Sequence, residues 1–555
     1  AGGDPPGARR APDPWARPGA VHEGRLEAQR TVEAVLPRLA AWLNAAHGLA
    51  LPDRYWRVLL GPWLLRLVHL ALDRDARLRA ALAAEPGLTT VLLDPADFTV
   101  PADTLDLQTL GFTDAFNLQL MSVLLALDRP DLPRRRLPPA ARPARPAGSA
   151  GALRRLSDAA VRRASPEIVF LELFPERKDM LRLAASLPGK AMPFRGRLSA
   201  PPPADPARRA SLAALPADDA FQRRVAALLP STLPTLFLEG FAAARRETLA
   251  GWRRLPRALA ATTGWVFDEG LKLLGAEARL EGATLVGGQH GGGYGVHLDV
   301  PSEWLESTTC DLYATWGWDD AEGSEARPTP LPQPGQLRLK AAGERREPAA
   351  ARGLLFVANG FPLYPYQLWC HSFGGELEGY LERQAAFVRA LSGPAAGALR
   401  LRLYPLERGW SARERLLASC PGVALDEGSR RLTELLPSLR LVVMDCLETA
   451  FLECLAADTP VLAFLGERFL KVRPSAQADV ELLREAGILH ASPEAAAARA
   501  SALYADPQAW WRSAPVRRAR ERWLGRYAGC SGEWPAAWRD LLLRAASRAR
   551  EAAAR

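Results

Sequence analysis

The chain reads as an α/β protein of at least two domains, and three observations carry that reading. Its 555 residues exceed what one hydrophobic core organises. Its second half alternates short apolar runs with amphipathic stretches, the pattern of a parallel sheet covered by helices on both faces. Its first half holds an apolar run, Ala283–Val286, feeding the glycine-rich segment GGQHGGGYG, Gly287–Gly295. A strand that enters a Gly-rich turn at the edge of an α/β sheet is a place where such folds bind ligands.

Residues 1–20, rich in Gly, Pro and Arg, read as a disordered leader or a trimmed start. Apolar spacing of three and four predicts long helices over 21–48 and 53–84, the first closed by Gly48 and the second capped by Asp53. A further helix is expected over 115–128. Arg134–Ala150 is Pro/Arg/Ala-rich and reads as an exposed flexible loop. Then come a strand at Glu167–Leu171, a helix near Arg177–Ala185, a loop at Pro201–Pro206 and a helix over Leu236–Leu255, which Pro256 stops. A short strand around Trp265, a helix at Asp268–Leu280 and a strand at Asp311–Thr315 complete the first half. Residues 322–351, rich in Pro, Gly and charge, read as a domain boundary, so the domains are 21–335 and 352–527.

In the second half, strands are expected at 353–358, 399–404, 422–425, 440–444 and 460–464. Helices are expected at 375–392, 411–418, 447–457, 477–486, 493–504 and 507–527. The last helix, over 534–553 within the segment 528–555, is amphipathic and basic. It can pack back across the domains or face a membrane.

Hydrophobic content of 48% and charged content of 24% are those of a soluble globular protein. The net charge of +9 invites phosphates, nucleotides or an anionic membrane surface. Only five of the 71 basic residues are lysine, however, which points to an Arg-biased genome as much as to a ligand. No RNA-recognition, zinc-finger or helix-turn-helix pattern is present, so nucleic acid is not expected as a partner. The six cysteines form no CxxC pair, and neither a zinc site nor a disulfide framework follows. Reduced, mostly buried thiols in the cytoplasm are the simplest account. The longest apolar run, Leu59–Leu72, is broken by Arg66 and too short to span a bilayer.

His290 is the candidate acid–base residue, because imidazole titrates near neutrality. Gln289, Gly291, Gly292 and Tyr294 surround it as loop or acceptor contacts. A tight glycine turn holding a hydrogen-bonded histidine is the alternative. In Leu441–Leu465 a strand, a turn, a helix and a strand follow one another. Thr449 falls in the first helical turn, where free N–H groups favour an anion, and Glu453 lies one turn on, able to accept from ribose hydroxyls. Ordinary helix capping would give the same pattern. The strand at 399–404 carries Arg400, Arg402 and Tyr404 on one face, with Arg408 beyond. A strand buried on both faces should be apolar, so these arginines mark either a phosphate or carboxylate site or a solvated surface.

Together the segments LNAAHGLALPDRYWRVLLGPWL, FNLQLMS, GGQHGGGYG, DLYATWGW, RLYPLERGW, DCLETAFLECLAADTPVLAF and GILHASPEAA span almost the whole chain. On them the sequence resembles the family of surface-polysaccharide transferases of bacterial O-antigen clusters, first named from spirochaete loci. The resemblance implies a GT-B-like fold, two Rossmann-like domains facing a cleft, with added N-terminal and C-terminal helices. It implies a nucleotide donor on the C-terminal domain and an acceptor on the N-terminal one. His290 would face the cleft, with Arg402, Arg408, Thr449 and Glu453 on the donor side. Glu448 stands where the family pattern has a small hydroxyl residue, and a carboxylate there repels phosphate unless it points away. The start lacks the first strand that the pattern implies.

The activity so implied is transfer of a sugar from a CMP-, CDP- or UDP-linked donor to a glycan or lipid-linked acceptor, with no cofactor required. No Asp-x-Asp motif is read in the chain, so metal dependence is not expected. His290 would be the general base. Glu306 is the weaker candidate, since it also reads as a surface glutamate at a helix end. A polyol-phosphate transferase, a nucleotide-sugar epimerase and a non-catalytic polysaccharide-assembly subunit are the alternatives. A cytoplasmic protein is expected, with peripheral contact to the inner membrane allowed by the basic last helix and the arginine loop.

Overall fold

The computed structural model describes residues 10–137, 151–320, 328–369, 376–466 and 471–554. The N-terminal half opens with helices α1 (Ala20–His47) and α2 (Asp53–Ala84), which pack on each other. Gly48, at φ 66°, closes α1 as expected, its N–H returning to Asn44 and Ala45 carbonyls. Asp53 lies inside the first turn of α2 rather than capping it, where its charge still suits the helix dipole. α2 is buried on all sides along most of its length, which its near-continuous apolar run requires. Residues 10–20 do not form a free leader. Trp15 is buried, and its indole N–H donates to Asp73 at 2.8 Å.

A parallel ribbon of β1 (Leu92–Leu93) and β2 (Arg134–Arg135) flanks helices α3 (Thr104–Leu110) and α4 (Asp114–Asp128). The expected loop 134–150 therefore begins as an exposed strand, and its residues 138–150 lie outside the described residues.

Behind these helices stands a six-stranded parallel sheet, in the order β4-β3-β5-β6-β7-β8. Its strands are β3 (Ile168–Leu171), β4 (Ala191–Pro193), β5 (Ala258–Ala261), β6 (Thr284–Gly288), β7 (Leu312–Thr315) and β8 (Pro328–Pro330). β5 corrects the strand expected around Trp265. The run ALAA carries little strand propensity and hides the strand, while Trp265 sits in the helical turn Gly264–Phe267 and donates its indole N–H to Val286 O. The helix expected over Leu236–Leu255 is shorter, Phe241–Leu249, and a helix at Ala220–Thr232 precedes it. The expected boundary 322–351 contains β8 and a helix, Pro334–Gly343, that packs against the helix Thr449–Ala456 of the second half.

The second sheet is also six-stranded and parallel, in the order β11-β10-β9-β12-β13-β14. Its strands are β9 (Gly353–Val357), β10 (Leu399–Arg402), β11 (Ala424–Leu425), β12 (Leu439–Met444), β13 (Val461–Phe464) and β14 (Leu489–His490). The central strands are apolar because helices cover both faces. β10 alternates because only the two-residue β11 lies beyond it, which leaves Arg400 exposed and bonded to Leu425 O. The helix expected over 507–527 breaks into Pro507–Trp511 and Ala514–Tyr527.

The last helix, Trp534–Ala554, returns to the first sheet. Trp538, Leu541, Leu542 and Ala545 bury against Ile168, Phe170 and Val286, so its apolar face is used within the fold. The result is the GT-B-like architecture: two Rossmann-like domains whose strand carboxyl ends meet at a cleft. Among the described residues no single helix is long and apolar enough to cross a membrane; the bent pair α3 and α4 passes by length and composition together.

Candidate active site

The glycines of the GGQHGGGYG loop serve close approach of protein to protein. Gly292 donates its N–H to Thr449 Oγ1 at 2.7 Å, and a Cβ on Gly292 would lie 2.4 Å from the Thr449 nitrogen. Gly295, at φ 72°, lies against the Trp318 indole, 2.4 Å from where its Cβ would stand. The loop of the first sheet is thus seated on the start of the helix that follows β12. Gln289 is fully used within the loop: its amide bonds Gly291 O, Trp316 N–H and the Trp318 indole.

His290 meets Glu306 from the helix Pro301–Thr309. Nε2 lies 2.9 Å from Glu306 Oε1 and 2.8 Å from the Tyr294 hydroxyl. The surface-glutamate reading of Glu306 is corrected, since the residue is 2% exposed and also accepts from Tyr313 OH at 2.8 Å. Burial, with the charge of Glu306 adding to it, pushes both the Tyr294 and Tyr313 phenols well above their ordinary range, so they stay protonated. The contact to the carboxylate oxygen is satisfied when Nε2 of His290 donates, and Nδ1 takes no part in it. The His290 side chain is 27% exposed, where the others are enclosed. Sequence reasoning missed Tyr313, although the family-like stretch DLYATWGW contains it.

On the other side of the cleft Arg402 is committed to Asp426, with contacts of 3.1 and 2.7 Å. Burial works to raise the Asp426 carboxyl, but hydrogen bonds from Arg402 and Gly428 hold it below the ordinary value. Arg408 is different. It bonds the Tyr404 hydroxyl at 2.9 Å and lies over the Tyr404 ring, and among the described residues no carboxylate pairs with it. Thr449 accepts from Gly292, and the Glu448 carboxylate faces back toward Gly293 and His297, 3.2 Å from His297 Nε2. Glu448 nevertheless lines a cavity beside Thr449. Glu453 stands apart from the cleft cavity. Burial alone pushes its carboxyl up to about 7.

Two adjoining cavities, about 370 and 530 Å³, open at the carboxyl ends of the second sheet and share Asn359, Phe361, Tyr404 and Arg408. The first lies between the ends of β9 and β12, where the strand order reverses. Such switch points are the ligand crevices of doubly wound sheets. Asp445 fixes this crevice, accepting from Asn359 N–H, Tyr380 OH and Gln384 Nε2. Burial raises its carboxyl, against those bonds. Three buried donors on the cavity walls, Gln367 Nε2, Arg408 Nε and Trp410 Nε1, have no acceptor among the described residues. Buried N–H groups are rarely left so, and the unpaired set is all donor.

No group of three or more His, Cys, Asp or Glu able to hold a metal occurs among the described residues. Sequence reasoning also passed over an Asp-x-Asp triplet, Asp73-Arg74-Asp75, whose carboxylates are taken up by Trp15, Arg74, Arg77, Arg79 and Arg224. Cys310, Cys420, Cys454 and Cys530 are free and buried and Cys446 is free and half-buried, while Cys370 lies outside the described residues.

The model of the LIC12162 family transferases matches residues 7–542. The chain belongs to that family. No curated protein matches it. Among solved structures this transferase is similar to a mutant of the Thermobaculum terrenum O-GlcNAc transferase, at 17% identity and a TM-score of 0.34, over 96% of this chain and 98% of that one. It is also similar to a variant of the wall teichoic acid polymerase TagF with CDPG, at 11% identity and a TM-score of 0.33, over 72% and 93%. A third is UGT2 of Phytolacca americana complexed with UDP-2-fluoro-glucose and pterostilbene, at 13% identity and a TM-score of 0.32, over 69% and 99%.

Proposed function

We propose that this transferase moves a sugar from a nucleotide-activated donor to a hydroxyl of a glycan or lipid-linked acceptor in bacterial surface-polysaccharide synthesis. One observation carries the reading. The switch-point cavity presents unpaired N–H donors and the uncompensated Arg408, and a His–Glu pair stands in the loop seated on its Thr449 edge. A nucleoside diphosphate or monophosphate supplies oxygens for those unpaired donors and a negative charge for Arg408, although Glu448 also lines the cavity. His290 Nδ1 takes the proton of the acceptor hydroxyl as its oxygen bonds the anomeric carbon. The nucleotide leaves with the electron pair of the broken bond, and Arg408 balances its charge.

Gly291 and Gly292 shape the acceptor-side rim, Tyr294 and Glu306 orient His290, and Arg402 holds the cavity floor through Asp426. No cofactor enters the scheme. A cytoplasmic site at the inner face of the membrane would bring together nucleotide sugars and a lipid-linked acceptor.

The test is a binding screen with CMP, CDP, UDP, GDP and their sugar conjugates, read by thermal shift. One nucleotide should stabilise the fold, by about 2.7 kcal/mol at a hundredfold excess over its dissociation constant. No shift with any of them would sink the donor reading. Product analysis then separates glycosyl from polyol-phosphate transfer, since only the latter puts phosphate into the linkage.

A further inference from the structure

The segment 359–369 leaves β9 in the second sheet, where Asn359 N–H donates to Asp445 and Leu363 N–H to Arg408 O, yet its second part is anchored on the first half. Leu368 N–H donates to His69 Nδ1 on α2 at 3.1 Å. Pro365 O accepts from Arg74 Nη1 on α2 at 2.6 Å. Tyr364 OH donates to Asp114 on α4 at 2.7 Å, and Tyr366 meets Phe112 edge to face at 5.6 Å. The same segment offers Phe361, Tyr366, Gln367 and Trp369 to the 370 Å³ cavity. It has no regular secondary structure, so its backbone groups depend on bonds from outside.

His69 is chemically unusual in this role. It is 1% exposed, and burial pushes its pKa down to about 3, with Arg25 and Arg66 adding to the effect, so the ring is neutral. Because Nδ1 accepts from Leu368, Nε2 carries the proton, and that buried N–H has no acceptor among the described residues. A leucine of similar bulk would avoid the orphaned donor. What the imidazole adds is one acceptor for the Leu368 amide, between two residues that line the cavity. Arg74, fully buried, gives Nε and Nη2 to Asn117, and its Nη1 also donates to Asp73, which fixes the guanidinium that holds Pro365.

We infer that His69 and Arg74 are positioning residues for the ligand of the switch-point cavity: helix α2 of the acceptor-side half sets the wall that grips the donor on the other half. The identity of that ligand as a nucleotide rests on the function proposed above; the anchoring of the wall does not. The consequence is that donor affinity depends on contacts across the domain boundary.

The experiment compares His69→Leu with His69→Asn, whose Oδ1 replaces Nδ1 at the same number of bonds from Cβ. Nucleotide affinity is read by calorimetry and KM against kcat with the donor. Peptide-level hydrogen exchange over 359–369 is measured in parallel. His69→Leu should weaken the nucleotide about tenfold, as expected for one buried hydrogen bond, with kcat at saturating donor kept. His69→Asn should restore most of the affinity, and exchange over 359–369 should rise in the leucine variant alone. Unchanged affinity in a folded His69→Leu protein, or an asparagine variant as weak as the leucine one, overturns the inference. If the wild type binds none of the nucleotides, the function reading fails and the exchange data decide: unaltered exchange in His69→Leu overturns the anchoring. If His69→Leu does not fold, Tyr364→Phe removes a part-exposed anchor of the same segment, and unaltered exchange there overturns it equally.

Discussion

Glu306 holds His290 by Nε2, at 2.9 Å, and leaves Nδ1 outside that contact. The two residues belong to different elements, a glycine loop and a helix. Tyr294 and Tyr313 complete the enclosure of the carboxylate, so that only the imidazole reaches toward solvent. A histidine set in this way has the fixed orientation that the proposed base requires.

His290→Ala should therefore lower kcat by about 10²–10⁴-fold while the fold and nucleotide affinity stay intact. Glu306→Gln keeps the shape but replaces the carboxylate that orients the ring, and should cost up to about 10⁴-fold, as the carboxylate-to-amide change does in a catalytic triad. Steady-state kinetics on the purified variants decide this. Undiminished turnover in His290→Ala would remove the base assignment, and a Glu306→Gln enzyme as fast as wild type would remove the orienting role.

Much of this site was legible and some was not, for physical reasons. That His290 and Tyr294 share one loop was readable from the glycine-rich segment, whereas the burial of Glu306 beneath them was not, because a helix-end glutamate also reads as surface; apolar parallel strands announce a doubly wound sheet. The pairing of Arg402 with Asp426 was invisible, because a salt bridge between neighbouring strand ends leaves no local pattern. The Ala258–Ala261 strand was hidden by its composition. The segment 359–369 resisted reading altogether, since irregular Pro-rich chain takes its shape from distant partners such as His69 and Arg74.

The contact of the loop with the second domain predicts a contrast between adjacent glycines. A Cβ at Gly291 would lie 3.7 Å from Thr449 Oγ1, ordinary contact, whereas one at Gly292 would collide with the Thr449 nitrogen and the Glu448 backbone. Gly291→Ala should keep stability near wild type. Gly292→Ala should force the domains apart, lower Tm by several degrees, roughly the effect of 1–3 kcal/mol of overpacking, and depress kcat. Equal behaviour of the two variants in melting curves would show that the loop and helix do not meet as described.

Arg408 and Arg402 should also separate. Arg408 has no carboxylate partner among the described residues and lines both cavities. Its replacement by alanine should raise the nucleotide Kd by about 10–100-fold, the worth of a charged hydrogen bond to phosphate, with little change in Tm. Arg402→Ala instead strands Asp426 and should show first as a loss of stability. Calorimetry and thermal melts on both variants test the assignment, which fails if Arg408→Ala binds nucleotide as tightly as wild type.

Glu453 makes the last prediction, on pH. Its carboxyl has an ordinary value of 4.5 and is pushed up to about 7 in the fold by burial. Below pH 4.5 the group is protonated in both folded and unfolded chains, and nothing is lost. As pH rises from 4.5 to 7 the unfolded chain gives up the proton while the folded chain keeps it, so unfolding gains and stability falls. Above pH 7 the group is ionised in both states and the loss is complete. Glu453→Gln removes this titration. Its Tm should match that of wild type near pH 4.5 and exceed it by about 2–4 °C per kcal/mol of relieved burial at pH 8. Because burial is the only cause acting on this carboxyl, the gain must grow between pH 4.5 and 7 and then level off; a difference between the two proteins that is constant across the range would mean that Glu453 is solvated and titrates normally.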